Sequence, residues 1–183
     1  MEIVEKVLTD AFVLKPRVFQ DKRGYFYESF NEKVFNSLTG ISVNFIQENQ
    51  SYSSKGTLRG LHFQTGDAAQ AKLVRVTKGS AYDVAVDLRP DSPTFRQWYG
   101  VELSAANHLQ FFIPRGFAHG FMALEDSTVF QYKVDNYYSS VNDGGVIWND
   151  EELNIKWPQL TLELSEKDKQ LLKLNQLNLK NLW

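Results

Sequence analysis

The chain has 183 residues, 43% of them apolar, and a formal net charge of −2, values that suit one soluble domain with a sizeable core. Its lysines and arginines are scattered, so the charge pattern indicates neither a nucleic-acid nor an anionic-membrane partner. It has no cysteine, which excludes disulfides, thiolate nucleophiles and cysteine-ligated zinc. The N-terminal residues lack a signal peptide's apolar stretch and no run approaches the ~20 apolar residues of a membrane span, so we expect a cytoplasmic protein.

Aromatic residues are abundant, with 13 Phe, 8 Tyr and 4 Trp, and they recur in short alternating runs that favour β structure. We predict ten strands, in chain order 11–19, 24–30, 43–49, 57–64, 72–79, 80–89, 97–103, 109–114, 120–124 and 128–138. Residues 31–40 are predicted to form a helix with Asn31 as its N-cap and Gly40 at its end. A helical tail is expected over about 165–183, and 139–145 is predicted to be a loop.

This order of elements predicts one mainly β domain over residues 1–183. Many short strands with few peripheral helices are typical of an antiparallel β-sandwich or jelly roll. Such a barrel-like fold is able to enclose a ligand.

Several of these strands carry a polar side chain on a face that is otherwise apolar. In TLRGLHFQ, Arg59, His62 and Gln64 lie in a strand that would fill a core, where charged groups are rarely buried unless paired or bound. Strict alternation puts Arg59 and His62 on opposite faces, but a bulge at Gly60 would turn both inward. Each such group alone is more often an edge position or a hydrogen-bonded core residue. Because five strands share the pattern, we predict a polar pocket in the barrel mouth. The other members are Glu28, Gln47, Asn49, Ser51, Lys72 and Tyr132.

The stretch IPRGFAHGF contains P-x-G-x-x-H ending at His119, which resembles the second signature of the cupin barrels. Metal-binding cupins pair it with H-x-H and a nearby Glu, whereas here His62 is followed by Gln64 and the nearest carboxylate is Asp67. The sequence therefore predicts a cupin-like barrel that has lost its metal ligands. That loss leaves His62 able to act as a base.

An ordered series of motifs from about Ile3 to Asp168 resembles the dTDP-4-dehydrorhamnose 3,5-epimerases. The motifs are RGYFYESF, FIQEN, LRGLHFQ, KLVRV, DVAVDLR, FFIPRGFAHGF and SEKD. The resemblance implies a cupin-type isomerase without metal or other cofactor, usually a homodimer. It also implies that the enzyme inverts C3 and C5 of dTDP-4-dehydro-6-deoxy-D-glucose to give dTDP-4-dehydro-L-rhamnose.

The same resemblance implies the catalytic roles. His62 matches the base, Asp168 the carboxylate that orients it, Lys72 the enolate stabiliser and Tyr132 the proton donor on the opposite ring face. Both carbons flank the C4 ketone, so one such set of groups serves both inversions. Without the resemblance, Ser165-x-x-Asp168 is simply a helix cap, Lys72 a solvated rim lysine and Tyr132 an ordinary core tyrosine.

Substrate-binding residues are implied in the same way. Arg23 and Arg59 match groups that neutralise the pyrophosphate, the usual task of guanidinium groups near phosphate. His119 is expected beside the sugar, tied to Asp83, although a core histidine of purely structural role fits the sequence equally well. The rings expected at the thymine are Phe26 and Tyr138. The remaining substrate contacts are Glu28, Gln47, Asn49, Asp143 and Lys167.

Three alternatives stay open. A metal-dependent cupin is disfavoured by the missing H-x-H and Glu. A non-catalytic module that binds sugar nucleotides would need the arginines and stacking rings but not His62, Tyr132 and Asp168 together. An epimerase of one centre only, or of another nucleotide-linked 4-keto sugar, would differ in pocket details around Tyr132 and Asn49 that sequence does not resolve.

Overall fold

Two antiparallel β-sheets pack face to face in the computed structural model, which describes residues 1–182. In spatial order, the first sheet contains β1 (Glu2–Leu8), β2 (Ala11–Lys15), β10 (Gln110–Ile113), β7 (Lys72–Lys78), β12 (Thr128–Val134) and β5 (Gln47–Ser53). The second contains β13 (Asp143–Gly145), β6 (Leu58–Gln64), β11 (Phe117–Ala123), β8 (Ser80–Asp87) and β9 (Trp98–Ser104). A separate hairpin is formed by β3 (Phe19–Asp21) and β4 (Gly24–Phe26). The predicted β-sandwich of jelly-roll type is confirmed.

The core lies between the sheets and continues behind the second one. Between the sheets, the rings of Phe121 and Phe130 stack with centroids 3.9 Å apart. Behind the second sheet, the segment that follows β13 contributes Leu153, Trp157 and Leu174 to another buried cluster. Because both faces of this sheet are covered, every residue of β11 is buried and the strand shows no alternation of polar and apolar residues.

The predicted N-terminal helix is confirmed as α1 (Glu32–Thr39). The Asn31 side chain accepts a hydrogen bond from the Val34 backbone N–H at 3.1 Å, and Gly40 ends the helix with φ +73°. Phe35 is fully buried and packs edge-on against Phe112 of β10, with ring centroids 5.0 Å apart. The helix therefore covers the outer face of the first sheet.

The structure differs from the predicted elements at several ends. β1 was not predicted, because it is an edge strand whose residues are mostly exposed and its sequence therefore does not alternate clearly. β2 stops at Lys15 because Pro16 has no N–H to continue the ladder. The predicted loop 139–145 contains a 3₁₀ turn and β13.

The C-terminal tail is less helical than its leucine spacing predicts. It forms α2 (Glu166–Lys169) and two 3₁₀ turns, Leu174–Gln176 and Leu179–Asn181, because its leucines pack on the second sheet instead of along one helix face. The predicted tail includes Trp183, which lies outside the described residues. Within residues 1–182, none of the helices is long and apolar enough to cross a membrane.

Candidate active site

A cavity of about 370 Å³ lies between the two sheets and is lined from both of them. Side chains of β5, β7 and β12 contribute from the first sheet, and β6, β11 and β13 from the second. Nine predicted site residues meet here: Arg59, His62, Lys72, His119, Tyr132, Tyr138, Asp143, Lys167 and Asp168. The fold thus brings together groups that are more than 100 positions apart in the chain.

The register of β6 against β11 explains why Arg59 and His62 reach the same cavity. His62 lies opposite His119 and Arg59 opposite Phe121, so β6 has one extra residue between them. Gly60 adopts φ +122°, and a Cβ added there would lie 2.6 Å from the β11 backbone. The predicted bulge is confirmed, and only glycine fits its position.

His62 and Asp168 form a hydrogen-bonded dyad on the second-sheet side of the cavity. His62 Nε2 lies 2.5 Å from Asp168 Oδ1, and the Ser165 hydroxyl donates to Asp168 Oδ2 at 2.8 Å. Burial raises the pKa of Asp168, but the hydrogen bonds from His62 and Ser165 outweigh it and hold that pKa below its ordinary value. The ionised carboxylate orients the imidazole through Nε2, which leaves Nδ1 as the nitrogen able to take a proton.

Asp168 also belongs to the helix cap that its sequence suggests. Its backbone N–H donates to the Ser165 hydroxyl at 3.1 Å, at the start of α2. The two interpretations of Ser165-x-x-Asp168 therefore hold together, because the cap fixes the carboxylate that holds His62.

Lys72 begins β7 and is buried, with 8% of its surface exposed. Burial lowers the pKa of its ammonium to about 8, while the charges of Asp83 and Asp143 raise it. The solvated rim position is therefore excluded. A buried ammonium in a cavity is placed to stabilise negative charge that develops there.

Tyr132 enters the cavity from β12, on the sheet opposite His62. Burial raises the pKa of its phenol, and a hydrogen bond with Asn49 and the charge of Arg59 only partly oppose the rise. Asn49 lies directly across from Tyr132 in the register of β5 and β12. Tyr132 therefore keeps its proton at neutral pH and can donate it.

His119 is tied to Asp83, as expected from the sequence. His119 Nε2 lies 2.8 Å from Asp83 Oδ2, and both residues are buried. Burial lowers the pKa of His119, with only partial opposition from Asp83. The ring is therefore neutral and donates through Nε2, so that Nδ1 remains an acceptor.

Tyr138, Asp143 and Lys167 form a connected group at the cavity rim. The Tyr138 hydroxyl donates to Asp143 Oδ2 at 3.3 Å, and the Lys167 ammonium donates to the same oxygen. Gln47 accepts from the Tyr138 backbone N–H at 3.3 Å and donates to Asn49 Oδ1 at 2.9 Å. Gln47 and Asn49 therefore lie next to the cavity, although they do not line it.

Arg23, Phe26 and Glu28 do not line the cavity of their own chain. Arg23 is on the β3–β4 hairpin, where it pairs with Asp21 at 2.6 Å. Phe26 is 70% exposed, and Glu28 accepts from the Asn31 side chain at 3.1 Å. Among residues 1–182 the hairpin strands pair with each other alone, so they belong to neither sheet of the sandwich.

The cavity also contains residues to which no catalytic or substrate-binding role was assigned, although Ser51 and Gln64 were predicted to face the pocket. Gln64 accepts from the Ser139 backbone N–H at 2.8 Å and donates to Asp143 Oδ1 at 3.2 Å, which fixes the rim. Ser51 and Gln64 carried a usable signal, because both are polar residues in apolar strands. The additional lining residues are Ser51, Phe63, Gln64, Gln70, Phe121 and Ser165.

Within the part of the chain that the structure describes, the side chains of the cavity do not form a metal-binding cluster. In residues 1–182, no group of three or more His, Asp or Glu side chains is arranged to hold a metal ion. Independence from metal stays a prediction, tested below.

Known proteins match the chain over nearly its whole length. The family model for dTDP-4-dehydrorhamnose 3,5-epimerase matches residues 5–176. The enzyme of that name from Escherichia coli K12 is 53% identical over 178 residues, which cover 97% of this chain and 96% of that protein.

Solved structures give the same result. The epimerase of this name from Elizabethkingia anophelis has a TM-score of 0.93 at 50% identity, covering 97% of this chain and 98% of that one. The dTDP-6-deoxy-D-glucose-3,5-epimerase of Legionella pneumophila, solved with dTDP-4-keto-L-rhamnose, has a TM-score of 0.95 at 43% identity, covering 99% and 96%. Sequence, fold and cavity agree, and the chain belongs to the dTDP-4-dehydrorhamnose 3,5-epimerase family.

Proposed function

We propose that this chain inverts C3 and C5 of dTDP-4-dehydro-6-deoxy-D-glucose to give dTDP-4-dehydro-L-rhamnose. One observation supports it above the others. The His62–Asp168 dyad and the Tyr132 phenol enter one cavity from opposite sheets, in company with the buried Lys72 ammonium. Inversion next to a ketone needs such a set: a base on one face, an acid on the other and a cation for the oxygen between them.

The reaction follows from these positions. The imidazole of His62 takes the proton from C3 or C5, and the C–H electron pair moves toward the C4 oxygen to form an enolate. The enolate collapses and takes a proton from the Tyr132 hydroxyl on the other face, which inverts the carbon. The His62 imidazolium then releases its proton to solvent and the Tyr132 phenolate regains one.

Lys72 stabilises the intermediate common to both inversions. Its ammonium is removed from bulk water, so its interaction with an enolate oxygen is stronger than at a surface. No carboxylate within the described residues 1–182 forms an ion pair with Lys72, so its charge is available to substrate.

Arg59 is suited to bind the pyrophosphate. It donates to Ser53 Oγ at 3.2 Å and to the Tyr52 carbonyl at 3.3 Å, and these neutral partners leave its charge uncompensated. The exposed Tyr138 ring is suited to stack on the thymine, close to Lys167. His119 then meets the sugar with its acceptor nitrogen.

The active form is proposed to be a cytoplasmic homodimer. Arg23 and Phe26 match substrate-binding positions of the family, yet both are exposed on a hairpin outside their own cavity. In a dimer, the hairpin of one subunit would deliver these residues to the cavity of its partner. Burial of an exposed aromatic ring against a protein surface also stabilises the assembly.

NMR of the product made from dTDP-4-dehydro-6-deoxy-D-glucose in D2O tests the proposal. Inversion with deuterium at both C3 and C5 is expected. Inversion at one carbon alone would assign a single-centre epimerase. Neither inversion nor exchange would assign a binding module.

A further inference from the structure

Asp83 presents an unusual buried charge next to the active site. It lies in the middle of β8 and is fully buried. Its Oδ2 is bonded to His119, but its Oδ1 has no hydrogen-bond partner among the described residues. An anionic oxygen in the protein interior is costly unless another charge compensates it.

The other carboxylates of the cavity are already compensated. Asp168 is bonded to His62, and Asp143 receives the Lys167 ammonium and the Tyr138 hydroxyl. The hydrogen-bond partner of Asp83 is the neutral His119, so the charge of Asp83 is not balanced by that contact.

Lys72 is the matching unbalanced cation. It is buried in the same cavity and, within residues 1–182, it forms no ion pair. Lys72 and His119 line the same cavity, and His119 Nε2 lies 2.8 Å from Asp83 Oδ2, which places the three groups in one neighbourhood. Two buried, opposite charges without other partners stabilise each other through a medium that screens them poorly.

We propose that Asp83 is a positioning residue whose negative charge keeps the Lys72 amine protonated inside the cavity. The role rests on the proposed function, since it is the ammonium form of Lys72 that stabilises the enolate. Burial alone favours the neutral amine. Asp83 opposes that tendency without touching the substrate.

The remaining groups around Lys72 do not replace this charge. The titratable and charged groups that line the cavity with Lys72 are Arg59, His62, His119, Tyr132, Tyr138, Asp143, Lys167 and Asp168, and Asp83 on β8 lies behind His119. Arg59 and Lys167 are cations and supply no negative charge. Burial lowers the pKa of Lys72 to about 8, and Asp83 opposes this more than Asp143 does. His119 and Tyr132 are neutral, and Asp168 is paired.

The pH dependence of kcat/KM in Asp83→Asn tests the proposal. Asparagine keeps an oxygen that can accept from His119, but it removes the charge. In the natural protein, kcat/KM should fall above pH about 8 as Lys72 loses its proton. In Asp83→Asn this fall should begin ~1 pH unit lower, so that kcat/KM at pH 8 is roughly eightfold below its value at pH 6.5, against roughly twofold in the natural protein.

Lys72→Arg supplies the matched control, because a guanidinium stays protonated throughout this range. Adding Asp83→Asn to Lys72→Arg should leave the alkaline side of the profile in place. If Asp83 only supported the structure, Asp83→Asn would lower activity equally at every pH, and an unmoved alkaline fall would overturn the proposal.

A titration of the natural protein without substrate gives a readout that does not depend on activity. The ¹³C signal of the Asp83 carboxylate should shift as Lys72 deprotonates near pH 8, and Lys72→Met should abolish that shift. An Asp83 signal that does not respond near pH 8 overturns the proposal. A response in a protein that does not epimerise the substrate would contradict the proposed function and leave the Asp83–Lys72 coupling standing.

Discussion

Replacing Lys72 by methionine should make the protein more stable and nearly inactive. Methionine keeps an unbranched chain of similar length but removes a buried ammonium that has no ion-pair partner in residues 1–182. Higher stability with lost activity is expected when a residue is kept for catalysis at the expense of stability, because active sites often hold polar groups in unfavourable environments.

The magnitude follows from the pKa of Lys72. Its fall from 10.5 to about 8 corresponds to about 3 kcal/mol of cost to folding, at 1.36 kcal/mol per pH unit. Below pH 8 the amine is charged in both the folded and the unfolded state, so this whole cost is present at pH 7. Lys72→Met should therefore raise the free energy of unfolding at pH 7 by up to about 3 kcal/mol.

The pH dependence of the free energy of unfolding gives a second, independent test. Between pH 8 and 10.5 the unfolded chain holds the Lys72 proton more tightly than the folded protein. The contribution of Lys72 to the free energy of unfolding therefore rises with pH in this window, by up to ~1.4 kcal/mol per pH unit. Lys72→Met should lose this rise.

Urea unfolding at pH 7 and 9, with kcat/KM measured in parallel, provides the assay. Lys78→Met is the matched control, since Lys78 is exposed at the other end of β7 and its replacement should change stability by less than ~0.5 kcal/mol. Loss of the enolate partner should reduce kcat/KM by about 10²–10³-fold. A Lys72→Met protein that is less stable at pH 7, or that keeps the rise of stability above pH 8, would refute the reasoning.

Three further predictions concern mechanism, metal and assembly. His62→Ala should abolish both inversion and deuterium exchange, whereas Tyr132→Phe should keep exchange next to the ketone and lose inversion, most of all at C5. Each loss, measured by NMR, should reach ~10²–10⁴-fold, and exchange at the wild-type rate in His62→Ala would show that another residue is the base. Activity should survive dialysis against EDTA, and a loss that one divalent ion restores would show that the enzyme needs metal. Sedimentation at micromolar concentration should give a dimer of the 21.1 kDa chain, and Phe26→Ala should weaken it, whereas monomers alone would contradict the proposed assembly.

The sequence by itself determined the local features of the protein. Alternating apolar residues indicated most strands, Asn31 and Gly40 indicated the ends of α1, and the break of alternation around Gly60 indicated the bulge. These features depend on neighbours within a few positions, so a local pattern is enough to find them. Motif order then indicated the family and the candidate residues.

Only the tertiary structure decided how those residues meet. Sequence placed Lys72 equally well at a solvated rim, and the burial that lowers its pKa comes from the packing of the two sheets. It linked Asp83 to His119 but gave no sign of the unpartnered Oδ1. It also grouped Arg23 with the site, whereas the hairpin directs it outward. Burial, charge balance and strand direction depend on contacts between distant parts of the chain, and no short pattern of residues encodes them.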